Sequence, residues 1–405
     1  MSATESAERE AGGRDAPETP ASEQQAEAKA YGRQQLHCTI ADTILDLAYL
    51  AFFAFFFALA LDRWLLTDLG VENRWLRLAV YFLAMSAGQF ALSLPLSWYS
   101  GYSLEHRYGL SRQSPARWFG RLLLQQLLAV ALSLLLVEGL YLLIEWTGSY
   151  WWICAAIASF LVTVVLGQLA PVLILPLFYK LERLDQPELL DRFQRLAAGT
   201  GLRIQGVFRI GLSRETAKAN AMLAGLGRTR RVILGDTLLD GFTPDEIEVV
   251  LAHEIGHHVY RHITKFLVAG LVFSVLAFLC CDAMLRFQVP GHGYAWSYAE
   301  LPVWTLSWIM LAMGILSTVF GPLRNAVSRR FERQCDRYAL DRTGLRDAFR
   351  SAFRKLAAIN KADMQPHPAE VLLFHDHPPI AQRLAIADCM AHASRGTQLV
   401  GEAKN

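Results

Sequence analysis

The sequence carries little charge for its length. Asp, Glu, Lys and Arg make up only 19% of its 405 residues, whereas soluble domains carry roughly 25%. A formal net charge of +2 excludes the strongly basic surface of a general nucleic-acid-binding protein, and it also excludes a strongly acidic surface. The 28 Gly and 15 Pro show no period, which excludes collagen-like and low-complexity chains. With 53% of residues in the hydrophobic set, the composition predicts a multi-pass protein of the lipid bilayer.

Paired cysteines and a signal peptide are also lacking. None of the six cysteines stands in a C-x-x-C pair, so a disulfide framework is not expected and a reducing compartment is favoured. The first 35 residues hold seven acidic and four basic residues without an apolar core. We therefore expect residues 1–40 to form a disordered polar tail, with a second short tail at 393–405.

Long apolar runs, in contrast, are frequent. Six of them meet or approach the roughly 20 residues that a membrane helix needs: 44–61, 78–99, 122–144, 151–179, 266–289 and 301–323. The charged residues inside them are Asp46, Glu138, Asp282 and Arg286, so the shortage of charge is local to the predicted spans. Asp282 and Arg286 are four residues apart, as expected for a pair on one helix face.

The arginines beside these runs predict the orientation of the protein. The loops 145–150 and 290–300 contain no Lys or Arg. Arginines cluster instead after the second and sixth runs, on the side of the N-terminal tail: Arg107, Arg112, Arg117, Arg121, Arg324, Arg329, Arg330 and Arg333. The positive-inside rule makes that side cytoplasmic. Both termini and the two long polar stretches then share the cytoplasmic side, where the stretches can form one split domain.

The expected organisation therefore alternates between membrane and soluble parts. Residues 41–179 carry spans one to four, 180–265 the first half of a split soluble domain, 266–323 spans five and six, and 324–392 the second half. Within the first half, the pattern predicts a helix at 187–199 and strands at 205–210, 219–224 and 230–235, the last two as a hairpin. Thr243-Pro244-Asp245-Glu246 predicts a helix start with an N-cap Thr and a capping-box Glu.

The strongest functional signal lies on the helix that begins at Thr243. His253 and His257 are four residues apart, so both imidazoles project from one face and can bind one tetrahedral Zn²⁺. Glu254 lies beside them and suits the general base of a hydrolase. In a chain with 11 His the pattern arises by chance in on the order of a few per cent of cases. Uncharged flanks and an independently predicted helix favour the zinc site over chance.

A catalytic zinc also needs a third protein ligand and one open position. No His follows His257 at the spacing of the extended His-rich motif, so a distant carboxylate is expected. Glu332 is the best candidate, because it opens a helix just past the sixth run on the predicted cytoplasmic side. Asp336 shares its face and can orient an imidazole through the ring N–H. The alternative is an ordinary solvated charged helix, since four arginines surround these residues.

The remaining histidines are weaker candidates. His258 points away from the predicted zinc face and His262 lies a turn beyond His257, so both are expected on the polar face of the helix. The segment FHDHPP at 374–379 places His375 and His377 in a proline-flanked loop. Spacing alone leaves this loop open as a ligand, a substrate contact or a simple connection.

Taken together, these motifs resemble those of the type I CaaX prenyl protease family, which are integral-membrane zinc endopeptidases. The likeness covers about residues 41–390. Besides the two zinc motifs it includes LPLSWY at 94–99, EHRYG at 105–109, the segment 170–178, Asn220-Ala221, RVILGDTLL at 231–239, and HPP at 377–379 with Arg383. The resemblance implies a mainly α fold, in which a polytopic membrane helix bundle encloses a chamber. A gluzincin-like α+β zinc-protease domain, split in sequence, caps the chamber.

The resemblance also implies roles for individual residues. One catalytic Zn²⁺ would be held by His253, His257 and Glu332, with Glu254 as general base and Asp336 supporting a ligand His. Asn220, His377 and Arg383 would hold substrate or stabilise the tetrahedral intermediate. The sequence departs from the family in two ways. The family usually has seven spans where we predict six, and Lys218 stands near Asn220 at a position where eukaryotic members usually have a His.

Three functions remain open at this stage. The first is a zinc endopeptidase that resembles the type I CaaX prenyl proteases and hydrolyses peptides or proteins, prenylated or not. The second is a quality-control metalloprotease for non-prenylated or misfolded membrane proteins. The third is a membrane zinc transporter or zinc-stabilised scaffold, which would place ionisable ligands at mid-membrane depth.

Overall fold

The structure is a computed structural model that describes residues 21–389 and is mainly helical. The predicted catalytic domain comprises residues 180–265 and 324–392. The helices that precede it are α1 (Ala21–Phe52), α2 (Ala58–Thr67), α3 (Arg74–Trp98), α4 (Glu105–Arg107), α5 (Pro115–Thr147), α6 (Trp151–Leu169) and α7 (Leu175–Phe178). The later helices are α8 (Pro187–Ala197), α9 (Asp236–Gly241), α10 (Pro244–Val259), α11 (His262–Gly291), α12 (Thr305–Thr343), α13 (Arg346–Ile359) and α14 (Pro368–Phe374), followed by helical residues 380–389. The strands are β1 (Leu181–Arg183), β2 (Gly206–Ile210), β3 (Ala221–Ala224) and β4 (Arg231–Gly235).

Five helical stretches of the described chain are long and apolar enough to cross a membrane: Ser22–Thr67, Arg74–Arg107, Pro115–Phe178, His262–Gly291 and Thr305–Thr343. The third stretch contains two of the predicted runs. Its chain turns at Gly148, which has a positive φ of 51°, and the Arg121 guanidinium donates to the carbonyl of Phe178 at 3.3 Å. Because 57 residues separate these two groups, α5 and α6 form an antiparallel hairpin. The polytopic bundle is confirmed, and the number of six crossings stays a prediction.

The start of α1 corrects the prediction of a disordered tail at 1–40. That prediction is wrong for residues 21–40, which are helical, while residues 1–20 and the predicted tail at 393–405 lie outside the described residues. Ala28 and Tyr31 are buried on this helix, and the Lys218 ammonium lies 3.0 Å from the Tyr31 hydroxyl and 2.9 Å from the Glu105 carboxylate. The start of α1 is therefore on the same side of the bundle as the catalytic domain.

Two of the carboxylates inside the bundle, Asp46 and Asp282, contact other protein groups. Asp46 accepts hydrogen bonds from Gln89 and Ser93 in a cavity of about 350 Å³ between α1, α3 and α5. Asp282 pairs with Arg286 at 2.8 Å, as the spacing predicts, and it also accepts from the Trp151 indole. Asp282 is therefore paired within the protein, which does not fit the open ligand that the transporter alternative requires.

The catalytic domain is built from both polar stretches. Its sheet has the order β1-β2-β4-β3, with β2 and β4 parallel and the other pairs antiparallel. The β3–β4 hairpin and α8 agree with the predicted elements. Buried side chains of α10 and of the later helices share one core, among them Val249, Leu251, Ala339, Phe349 and Phe353. This shared core places the helix that contains His253 against the helix that contains Glu332.

Two local features fix the ends of α10. At its start, the Thr243 hydroxyl accepts from the Glu246 amide and the Glu246 carboxylate accepts from the Thr243 amide, which confirms the predicted capping box. The buried Glu246 also accepts from Ser351 and Lys355 of α13. At its end, Arg261 adopts a left-handed conformation with φ 55°, which separates α10 from α11.

Candidate active site

The three predicted metal ligands converge at the contact between α10 and α12. The Nε2 atom of His253 lies 3.2 Å from one carboxylate oxygen of Glu332, and the Nε2 atom of His257 lies 3.2 Å from the other. His253 and Glu332 are buried. The fold thus brings together residues more than 70 positions apart in sequence, with the imidazole nitrogens directed at the carboxylate.

This donor set fits a divalent cation. The buried Glu332 Oε2 atom lies 3.2 Å from the Nε2 atom of His253 but accepts no hydrogen bond from the described residues, although a buried carboxylate oxygen normally requires one. Two imidazole nitrogens and one carboxylate are the ligands of catalytic zinc sites of the His₂Glu class. The Cys335 thiol also lies within 4.8 Å of ring nitrogens of both His253 and His257. A metal is therefore the partner that the Glu332 carboxylate lacks.

Asp336 and Arg383 contact the Nδ1 side of the His253 ring. The Nδ1 atom of His253 is 3.0 Å from Asp336, and Arg383 donates to the same carboxylate at 2.9 Å while its guanidinium lies over the Phe353 ring at 3.9 Å. Burial disfavours the charged imidazolium of His253, but the nearby carboxylates of Asp336 and Glu332 outweigh that effect and raise its pKa to about 9. Because the Asp336 and Glu332 carboxylates favour a positive charge on His253, they also suit a metal cation that replaces one of the imidazole protons.

The predicted general base contacts the edge of the sheet. The Glu254 carboxylate accepts a hydrogen bond of 3.0 Å from the Leu223 amide of β3. β3 is the last strand of the sheet, and Glu254 lies beside it in a cavity of about 300 Å³. The same cavity is lined by Asn220, which is exposed, and by His377 and Arg383. The structure therefore brings six of the eight predicted site residues to the wall of one cavity. The other two lie next to it, because His257 contacts Glu332 and Asp336 contacts His253.

His377 lies next to the predicted metal ligand Glu332. Its Nε2 atom is 3.5 Å from Glu332 Oε2, and its Nδ1 atom is 2.8 Å from Asp376. The hydrogen bond to Asp376 raises the pKa of His377, against a smaller opposing effect of burial. Of the three alternatives for the loop at 374–379, this position argues against a simple connection and fits either a ligand or a contact with substrate.

Sequence reasoning missed two residues of the site. The side-chain amide of Asn360 bonds both the amide and the carbonyl of Ala219 and so fixes the segment that leads into β3. His262 was expected on a polar helix face, and this expectation is wrong, because the side chain is buried and lies 3.2 Å from His257. His258 instead contacts Arg230 on the far side of α10. The only signal for His262 was its spacing of five residues from His257.

Comparisons with known proteins identify the family of the chain. Residues 17–180 match a family model described as the CAAX prenyl protease N-terminal region with five membrane helices, and residues 183–391 match peptidase family M48. The chain is 28% identical over 338 residues to an uncharacterized metalloprotease, YhfN, of Bacillus subtilis, across 81% of this chain and 76% of that protein.

Two further relatives are similar along most of their length. CAAX prenyl protease 1 of Saccharomyces cerevisiae is 28% identical over 324 residues, which cover 75% of this chain and 70% of that protein. The crystal structure of S. mikatae Ste24p superimposes with a TM-score of 0.77 at 24% identity and covers 90% of this chain and 88% of that chain, which shows a shared fold. The chain therefore belongs to peptidase family M48, and it is an integral-membrane metalloendopeptidase that resembles the CAAX prenyl protease 1 relatives.

Proposed function

We propose that this metalloendopeptidase depends on one Zn²⁺ held by His253, His257 and Glu332. The observation that carries the proposal is the buried Glu332 carboxylate, whose oxygens lie 3.2 Å from both Nε2 atoms and include one without a hydrogen bond among the described residues. When bound, Zn²⁺ supplies Lewis-acid chemistry that activates water and polarises the scissile carbonyl.

The residues around the cavity supply the proton transfers and the charge stabilisation. Glu254 takes a proton from the attacking water and returns it to the amine that leaves. His377 donates to the oxygen that becomes negative in the tetrahedral state, a role that its raised pKa supports because the ring keeps its second proton to higher pH. Asp336 keeps the His253 ring in the orientation in which Nε2 faces Glu332.

The open edge of β3 is the proposed substrate-binding strand. The Gly235 amide donates to the Asn220 carbonyl, so residues of even number along β3 bond to β4. Ala221 and Leu223 therefore direct their main-chain groups to the other side, and the bond from Leu223 to Glu254 agrees with this parity. An extended peptide can add to this edge by main-chain hydrogen bonds.

The substrate that we favour is a prenylated protein with apolar residues beside the scissile bond. Several relatives are named CAAX prenyl protease 1, and the cavity has an apolar wall formed by Leu238, Val250, Phe353, Leu356 and Ile380. The polar cavity that Asp46, Gln89 and Ser93 line between α1, α3 and α5 favours the alternative of an unmodified polypeptide. Matched peptides with and without a farnesyl group distinguish the two, because our proposal predicts a higher kcat/KM for the farnesylated peptide.

We also propose that the catalytic domain faces the cytoplasm. The arginine clusters and the contacts between the start of α1 and the catalytic domain support a common side for both. Peptide added outside sealed inside-out vesicles should be cleaved, whereas peptide outside right-side-out vesicles should survive. The reverse pattern would contradict the proposed orientation.

Zinc binding is tested by metal titration of the metal-free protein. We expect one Zn²⁺ per chain for the wild type, chelator-sensitive activity that Zn²⁺ restores, and at least about 100-fold weaker binding by Glu332→Ala. Glu248→Gln, on α10 but paired with Arg192 away from the cavity, is the matched control. Wild-type zinc affinity in Glu332→Ala would refute this ligand set.

A further inference from the structure

His262 occupies a fixed position behind the second metal ligand. It is the first residue of α11 and is only 1% exposed. Its ring stacks on Phe331 with centroids 4.1 Å apart and planes 6° from parallel. Its Nδ1 atom lies 3.2 Å from Nδ1 of His257, and its Nε2 atom lies 3.0 Å from Oε1 of Gln334. Stacking and two polar contacts therefore determine the orientation of the ring.

The positions of the protons on these rings follow from the contacts. If His257 binds metal through Nε2, which faces Glu332, its proton is on Nδ1 and points at His262. His262 must then accept at Nδ1 and carry its own proton on Nε2, which donates to Gln334. The Cys335 thiol, 3.6 Å from the same Nδ1 atom, can also donate to it. One consistent chain of donors thus runs from His257 through His262 to Gln334.

The two ligand histidines are supported by different chemistry. His253 donates to the carboxylate of Asp336, which carries a negative charge and is neutralised by Arg383. His257 instead donates to an imidazole. An uncharged acceptor fixes the ring without adding a further negative charge to a centre that already contains Glu332 and Asp336.

His262 also connects the two halves of the catalytic domain. Phe331, Gln334 and Cys335 lie on the turn of α12 that carries Glu332, and all three contact the His262 ring. The contact with His257 reaches α10. The ring therefore sets the spacing between a ligand on α10 and a ligand on α12.

We propose that His262 is a positioning residue that holds the tautomer and the orientation of His257 for metal binding. This inference rests on the proposed function of His257 as a ligand. Outer partners of ligand histidines typically contribute about 10- to 100-fold to metal affinity or activity, and we expect an effect of this size here.

Two substitutions separate hydrogen bonding from packing. His262→Phe keeps the flat ring that stacks on Phe331 but has no acceptor, so Zn²⁺ should bind about 10- to 100-fold more weakly in competition with a chromophoric chelator. His262→Asn offers an amide oxygen near the position of Nδ1 and should keep the affinity within a few-fold of the wild type. In both variants the thermal unfolding midpoint of the metal-free protein shows whether the fold persists.

A second readout follows the geometry of the centre itself. The visible absorption spectrum of the Co²⁺-substituted protein should change in His262→Phe and stay close to the wild type in His262→Asn. Wild-type zinc affinity in a folded His262→Phe variant would overturn the inference, and so would an equal loss in both variants. If the wild type itself fails to bind zinc, the proposed function fails, which is a distinguishable result.

Discussion

The Glu254 carboxylate accepts a hydrogen bond of 3.0 Å from the amide of Leu223, which joins the proposed general base to the open edge of the sheet. The strand that we propose to bind substrate is therefore hydrogen-bonded directly to the residue that we propose to transfer the proton. We expect substrate pairing with β3 to affect the position of Glu254.

The first prediction concerns the free edge of β3. Ala221→Pro removes an N–H that faces the substrate side, where a proline is tolerated in an edge strand. We expect kcat/KM to fall about 3- to 10-fold, the effect of one main-chain hydrogen bond, with little change in thermal stability. Met222→Pro is the matched control, because Met222 bonds to β4. It should lower the unfolding midpoint, and equal behaviour of the two variants would contradict the proposed parity.

The second prediction concerns the buried pair of Asp336 and Arg383. Asp336→Leu leaves the Arg383 guanidinium buried without its carboxylate, so the free energy of unfolding should fall by about 3–5 kcal/mol. The double variant Asp336→Leu/Arg383→Met should recover most of this loss, because both charges are gone. Zinc affinity should be lower than that of the wild type in both variants, since His253 lacks its hydrogen-bond acceptor. A double variant as unstable as the single one would show that the pair is not the cause.

The third prediction concerns pH and the capping box of α10. Burial alone would raise the pKa of Glu246 from its ordinary value of 4.5, but bonds from Lys355, Ser351 and the Thr243 amide lower it overall. A carboxylate with a lowered pKa stabilises the fold above its unfolded-state pKa, and this contribution is lost as pH falls through the folded-state pKa. The difference in unfolding midpoint between wild type and Glu246→Gln should therefore be largest near pH 7 and shrink below about pH 4.5. A difference independent of pH would argue against this linkage.

The local elements of the site could be predicted from sequence because their signals are local. The capping box at Thr243 and Glu246 and the i, i+4 spacing of His253 and His257 each lie within one helix, where periodicity and capping chemistry act over a few residues. The pairing of α10 with Glu332 was also expected, because the predicted spans put both polar stretches on one side of the membrane.

Long-range partners could not be predicted in the same way. The His262 side chain contacts Gln334, which is 72 positions away in sequence. The Tyr31 side chain contacts Lys218, which is 187 positions away. Nothing in the polar composition of residues 21–40 indicates such a partner, although Ala28, Tyr31 and Cys38, which are all buried, share a helical face. Burial of these residues depends on the surface that the catalytic domain presents, and composition alone carries no information about it.

The most direct test of the account is the zinc content and turnover of Glu254→Gln, with Glu248→Gln as control. In our proposal Glu254 transfers the proton but does not bind the metal, so we predict one zinc per chain, KM within a few-fold of the wild type, and kcat lowered at least about 100-fold. A zinc-loaded Glu254→Gln protein that cleaves peptide at the wild-type rate would contradict the central claim.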